Sequence, residues 1–122
     1  MANNILFKIE TLIVDGAPVA IEDGSGSITG AARFENDVVV SASGDDFQRR
    51  KRVPTTLDAR ILFGPAESPD KYSKLNEVQI TGRDISSGRR ALMPKCSFGR
   101  MGAIGGGPVD VSFNVLAPIQ WL

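Results

Sequence analysis

The sequence predicts an all-β fold, a β-sandwich or small barrel of about seven strands with one short flanking helix. Three observations carry this. The run from Val109 to Val115 alternates without a break, with Val109, Val111, Phe113 and Val115 set against Asp110, Ser112 and Asn114. Successive side chains of a strand point to opposite faces, so this run has one apolar and one polar face. Short apolar or alternating runs recur along the chain, each closed by a cluster of Gly, Pro, Asp or Ser. Only one segment carries a good helix start.

In chain order, Ile5 to Val14 is rich in β-branched and large apolar residues and ends at Asp15-Gly16, a tight-turn pair. Pro18 to Ile21 is the expected returning strand, and Glu22 to Gly26 the next break. Ser27 to Gly30 is short and bounded by glycine, which suits an edge or a close backbone approach. Val38 to Ser43 reads as a strand ended by Gly44-Asp45-Asp46. A basic stretch, Gln48 to Arg52, follows as a loop. Thr55 to Phe63 is the next strand, with Leu57, Ala59, Ile61 and Phe63 on one face and Asp58 and Arg60 on the other. Ser68-Pro69 opens the helix. Serine is a capping residue, and proline loses nothing at the first helical position, where its missing N–H has no partner anyway. Val78 to Thr81 returns to alternation, and Ser86-Ser87-Gly88 turns into Arg90 to Met93. The glycine-rich stretch Gly99 to Gly107 then leads to the closing strand Val109 to Val115.

A chain of 122 residues suits one domain over 1–122, and no internal repeat divides it. Lys plus Arg number 14 and Asp plus Glu number 14, so the formal charge is zero. That argues against a dedicated nucleic-acid binder, whose domain is usually basic. It leaves little repulsion between copies of the chain. With no histidine, Ser-His-Asp and Cys-His catalysis and histidine-bearing zinc sites are excluded. Cys96 is the only cysteine. It reads either as a small buried residue or as one half of an interchain disulfide. The start of the chain, Met1 to Gly16, has no signal-peptide pattern, because Lys8 and Glu10 interrupt its apolar run. No stretch approaches the roughly 20 apolar residues of a membrane helix. The expectation is synthesis in the cytoplasm and no membrane partner.

Four consecutive basic residues, Arg49, Arg50, Lys51 and Arg52, form either a phosphate-binding or partner-binding loop or a solvated one. Phe47 alone is too little aromatic surface to stack bases. Gly99 to Gly107 lacks the GxGxxG spacing and the GK[ST] ending of phosphate loops, and a strand follows it where a helix would be needed. Glu22-Asp23 and Asp45-Asp46 are paired carboxylates in turn contexts, where Asp is common for local hydrogen-bonding reasons. No nucleophile–base pair or cofactor loop is present in the sequence, so neither an enzyme nor a cofactor is expected. The chain ends in Trp121-Leu122, whereas chain ends are normally polar. This apolar end packs either on its own core or on another subunit.

From about Ser25 to the C-terminus, the order of parts resembles the tail tube proteins of contractile, Mu-like phage tails. The matching pieces are the glycine-bounded strand Gly26 to Gly30, and Val38 to Ser41 running into Gly44-Asp45-Asp46. A charged hairpin and the strand Leu57 to Phe63 come next. The short helix follows with its exit Leu75-Asn76-Glu77-Val78-Gln79-Ile80, then the Gly88-Arg89-Arg90 hairpin and the closing strand Val109 to Val115. The resemblance implies a β-sandwich subunit that joins, typically as hexamers, into rings stacked as a hollow tube. The genome passes through that tube on ejection, DNA transits without specific binding, and a sheath surrounds it. Related tubes occur in contractile injection systems. The expected location is the virion tail.

Under that reading, Asp58, Arg60, Gln79, Thr81, Asp110, Ser112 and Asn114 are lumen-facing candidates. The long hairpin Val38 to Phe63 has a charged tip that reaches the adjacent ring. There Arg49 to Arg52 would meet Asp15, Glu22 and Asp23, and Trp121 and Leu122 would contact a neighbouring subunit. The basic residues are expected to face away from the lumen, since basic surfaces hold phosphate backbones strongly. The alternative is a small nucleic-acid-binding β-barrel that uses residues 49–52 as its arm.

Overall fold

Among the described residues, ten strands, most of them short, and one helical turn and a half form because the apolar runs are brief and the turn residues frequent. The structure is a computed structural model and describes residues 4–65 and 67–122. In order the elements are β1 (Thr11–Val14), β2 (Ala17–Val19), β3 (Ser27–Thr29), β4 (Phe34–Val39), β5 (Phe47–Arg52), β6 (Thr55–Ile61), α1 (Pro69–Ser73), β7 (Val78–Arg83), β8 (Arg90–Met101), β9 (Val109–Val115) and β10 (Gln120–Trp121). The all-β class with one short helix is as expected. The strands outnumber the expected seven because the stretch expected as a loop forms β5 and the two-residue β10 adds another.

Eight strands make one antiparallel sheet in the order β2-β1-β7-β8-β9-β6-β3, with β10 also on β8. Strand β8 is long enough, at 12 residues, to take β9 along its second half and β10 along its first. The sheet curls until Ile21, just past β2, bridges Ile61 on β6. Backbone bonds from Glu22 N to the Arg60 carbonyl (2.8 Å) and from Leu62 N to the Ala20 carbonyl (3.0 Å) flank that bridge. Elsewhere the sheet stays open, and its halves face each other in the manner of a sandwich.

The concave face is the core. Leu12, Val14, Leu57, Ala59, Ile61, Ile80, Met93, Cys96, Val109, Val111 and Phe113 are all buried there. On β6 and β9 every second residue is buried, as the alternation requires. Helix α1 adds Tyr72, which is fully buried. The Tyr72 hydroxyl donates to the Glu67 carboxylate, since a buried phenol needs a partner. Burial and that carboxylate together hold the Tyr72 hydroxyl well above its ordinary pKa. Ser68 stands at the N-cap in extended conformation but makes no side-chain cap bond. The expected side-chain cap is therefore corrected: the Ser68 carbonyl accepts from Lys71 N (3.2 Å) instead.

Three further local expectations change. Ile5 to Glu10 precedes the first strand and does not extend it. Strand β8 runs through to Met101, so the connection to β9 is Gly102 to Pro108, shorter than the expected Gly99 to Gly107. Gly99 lies inside the strand at a register shift between Phe98 and Arg100. A Cβ there would sit 2.8 Å from the Ser112 carbonyl oxygen, so the close approach of two backbones requires glycine.

Strands β4 and β5 pair only with each other, in a second sheet of two strands. Apart from half-buried Asp37 and Ser41, every residue from Phe34 to Arg52 is exposed. This hairpin is an arm that leaves the body between β3 and β6. Gly30 sets its root at φ +72°, where a Cβ would overlap the Pro54 carbonyl oxygen. The Gly30 carbonyl accepts from Thr55 Oγ1 (2.8 Å) and from Arg33 N (3.0 Å), and Val53 N bonds the Arg33 carbonyl (2.8 Å).

Candidate functional site

The basic residues Arg49, Arg50, Lys51 and Arg52 form most of β5 and do not form a loop. They are also not at the tip. The tip is Val40 to Asp46, closed by Gly44 N to the Ser41 carbonyl (3.3 Å) and Ser41 N to Asp46 Oδ1 (3.3 Å). The run was hard to read as a strand because five consecutive polar residues, Gln48 to Arg52, give no apolar alternation. Pairing with β4 supplies what the run lacks. Across the ladder Asp37 stands opposite Arg49 and Glu35 opposite Lys51, and Asp37 lies 3.6 Å from Arg49 and 3.8 Å from Lys51. On the other face the Arg50 guanidinium lies 4.0 Å over the Phe34 ring, a cation–π contact.

Of the acidic candidates, Glu22 and Asp23 sit in the turn after β2, and each already faces a cation of its own chain. Glu22 lies 3.7 Å from Arg60 and Asp23 lies 2.8 Å from Lys8. Both pairs are largely exposed, and such pairs contribute about 0–1 kcal/mol. Asp15 occupies a different turn, between β1 and β2, at φ +50°. It has no ion-pair partner among the described residues. The arm leaves at the Thr55 end of β6, whereas Glu22 bonds the Arg60 backbone near the other end. Five residues of strand separate the two, roughly 17 Å at 3.3–3.4 Å per residue. Arm and acidic turn thus stand at opposite ends of one strand.

The seven polar positions of β6, β7 and β9 all lie on the convex face, but they do not form one patch. Arg60 pairs with Asp110 and Asp58 with Ser112 directly across the β6–β9 ladder, and Asn114 stands opposite Thr56. Arg60 Nε donates to Asp110 Oδ1 (3.1 Å). Gln79 and Thr81 are on β7, separated from β9 by β8. Thr81 stands between Ile13 and Leu92, which are less polar neighbours than the lumen reading expects. Asp58, Arg60, Asp110 and Ser112, together with Glu22, Asp23 and Arg100, line a shallow open depression of ≈ 650 Å³, and Asn114 lies outside it. Arg100, opposite Ser112, is a member the sequence did not reveal. Two register shifts in β8, between Met93 and Cys96 and between Phe98 and Arg100, break its alternation, so no regular pattern announces the outward face at Arg100.

Trp121 packs on its own chain. Its ring meets Phe7 edge-on at 5.2 Å and 83°, and the Arg89 guanidinium lies 4.9 Å over it. Leu122 exchanges two 2.9 Å backbone bonds with Arg90, so the chain end is an integral part of the sheet. Trp121 is still 42% exposed and Leu122 55%. Cys96 is fully buried, and its thiol faces the Met93 carbonyl (3.7 Å). Burial pushes its pKa up to about 11. Enclosed in the core of its own chain, Cys96 is the small buried residue of the first reading.

A buried carboxylate, Asp84, also escaped the sequence reading. It accepts from Ser86 N (3.0 Å), the Ser87 hydroxyl (3.0 Å) and Lys8 N (3.3 Å). Burial acts to raise its pKa. The Ser87 hydroxyl, the neighbouring Glu10 carboxyl and the Lys8 and Ser86 amides outweigh that and hold it below the ordinary aspartate value. Only a serine-rich turn hints at it in the sequence, and the contact with Lys8 spans 76 positions.

Among the described residues no group of three or more His, Cys, Asp or Glu side chains is placed to hold a metal, and no helix is long and apolar enough to cross a membrane. What the arrangement offers is surface: a projecting arm with a basic stem, a polar convex face and a half-exposed aromatic corner. In comparison with known proteins, the chain matches no family model and no curated sequence.

Proposed function

We propose that this chain is a structural subunit of a phage tail tube, assembling into rings, six-membered in the resembling family, that stack into a channel for genome ejection. The observation that carries this reading is the arm. A lone two-stranded hairpin is marginal in water, and this one exposes Phe34, Val38, Val39, Val40 and Phe47. A subunit that completes itself by association explains both features, and an isolated monomer explains neither.

The rest of the chain fits the same role. The edges of the sheet at β2 and β3 are short, and strand edges left open in a monomer can pair between neighbours in a ring. The convex face of β6 and β9 mixes Asp58, Asp110 and Arg60, so it carries no single-sign field to hold a phosphate backbone. That face is the proposed lumen wall, with the basic stem turned away from it toward Glu22 and Asp23 of the next ring. The partners under this reading are further copies of the chain, a sheath outside, and DNA in transit. The location is the virion tail.

A small nucleic-acid-binding protein using Arg49 to Arg52 is the competing reading, favoured by four exposed cations in a row. Asp37 faces two of them and Phe34 a third, which leaves the stem less available to phosphates. Negative-stain microscopy of the purified protein, alongside DNA binding measured against salt, separates the two. Rings or tubes with weak DNA binding support the tube subunit. A monomer whose DNA affinity falls steeply with salt supports the other reading.

A further inference from the structure

The side chains at the end of the arm are distributed in a way that a surface-laid hairpin does not need. Residues directly opposite in an antiparallel pair share a face. Val38 pairs with Gln48, and Val39 with Phe47, so these pairs lie on opposite faces. Val38 is 69% exposed, Val39 43% and Phe47 66%. Below them both faces turn polar or charged, Asn36 with Arg50 on one and Asp37 with Arg49 on the other. An arm lying along a single surface would bury one apolar face and keep the other polar. This end carries apolar side chains on both faces, Val39 and Phe47 on one and Val38 beside Gln48 on the other, and the stem beneath it is charged on both.

We propose that the end of the arm is a wedge, inserted between two other copies of this chain so that both faces are buried at once. The inference rests on the tube-subunit reading and adds that each arm touches two neighbours. The occupants are copies of the same chain because the charges match within it. The stem carries Arg49, Arg50, Lys51 and Arg52, and the turn near the far end of β6 carries Glu22 and Asp23. An arm at one end and its charge complement at the other make a head-to-tail contact, which builds rings or filaments and not a closed pair.

The test uses single cysteines at the two faces, Val38→Cys and Phe47→Cys, in the full chain. Both sites are exposed in the single chain, and the native Cys96 is buried and silent to a maleimide as long as the body is folded. Labelling is compared for unassembled and assembled protein, with circular dichroism confirming the folded body. The wedge predicts that both thiols react before assembly, and that after assembly each is protected or its variant fails to assemble. A variant that assembles with either thiol still reactive overturns the wedge and leaves the tube reading standing. Wild-type protein that never assembles overturns both.

Discussion

Phe113 shows how much a single side chain contributes here. It is fully buried, with Leu57 opposite it on β6 and Phe98 edge-on at 6.5 Å. Truncation leaves a cavity in a closely packed interior, so Phe113→Ala should cost about 3–5 kcal/mol, read from urea unfolding. Its neighbour Asn114→Ala, on the solvent side, should stay within about 0.5 kcal/mol. Gly30→Ala belongs with the costly group, because it forces a side chain onto the Pro54 carbonyl at positive φ. It should lower stability by more than about 1 kcal/mol and loosen the root of the arm. Asp84 sets an acid limit. Its folded pKa lies below the unfolded value near 4, so its contribution is complete above that pH and is lost as pH falls through the folded pKa. Stability should therefore decline below about pH 4. Asp84→Asn should weaken the protein at neutral pH and flatten that decline, as seen in unfolding midpoints across pH.

At the scale of elements, legibility followed the hydrophobic pattern. Strands β6 and β9 could be read directly, because Leu57-Ala59-Ile61 and Val109-Val111-Phe113-Val115 alternate and face one core. Strand β5 could not, because its five polar residues Gln48 to Arg52 lack alternation and pair with β4, where Asp37 meets Arg49 and Lys51 and Phe34 meets Arg50, across a ladder that no local pattern announces. The alternating polar positions lie on the outer face, but Gln79 and Thr81 stand apart from those of β9 because β8 lies between the two strands. Strand order is a long-range property that periodicity does not carry. The arm is where an element-scale prediction belongs. Its amides should exchange rapidly with solvent in the unassembled chain and slow on assembly, whereas those of β8 and β9 should be protected in both states. Reversing Arg49, Arg50, Lys51 and Arg52 to Glu should abolish stacking while the circular dichroism of the body stays unchanged. Normal stacking by that variant would remove the basic stem from the contact.

For the whole molecule, the distribution of charge says more than its sum. The net charge of zero leaves a basic strand, β5, at one end of β6 and an acidic turn, Glu22-Asp23, near the other, with a mixed polar face between them. That separation favours head-to-tail association. The central claim is that this body and arm exist to build a tube. Electron microscopy of the purified full chain over a range of concentrations tests it most directly. The account predicts rings that stack into hollow tubes, and lone subunits that remain monomeric at every concentration would contradict it.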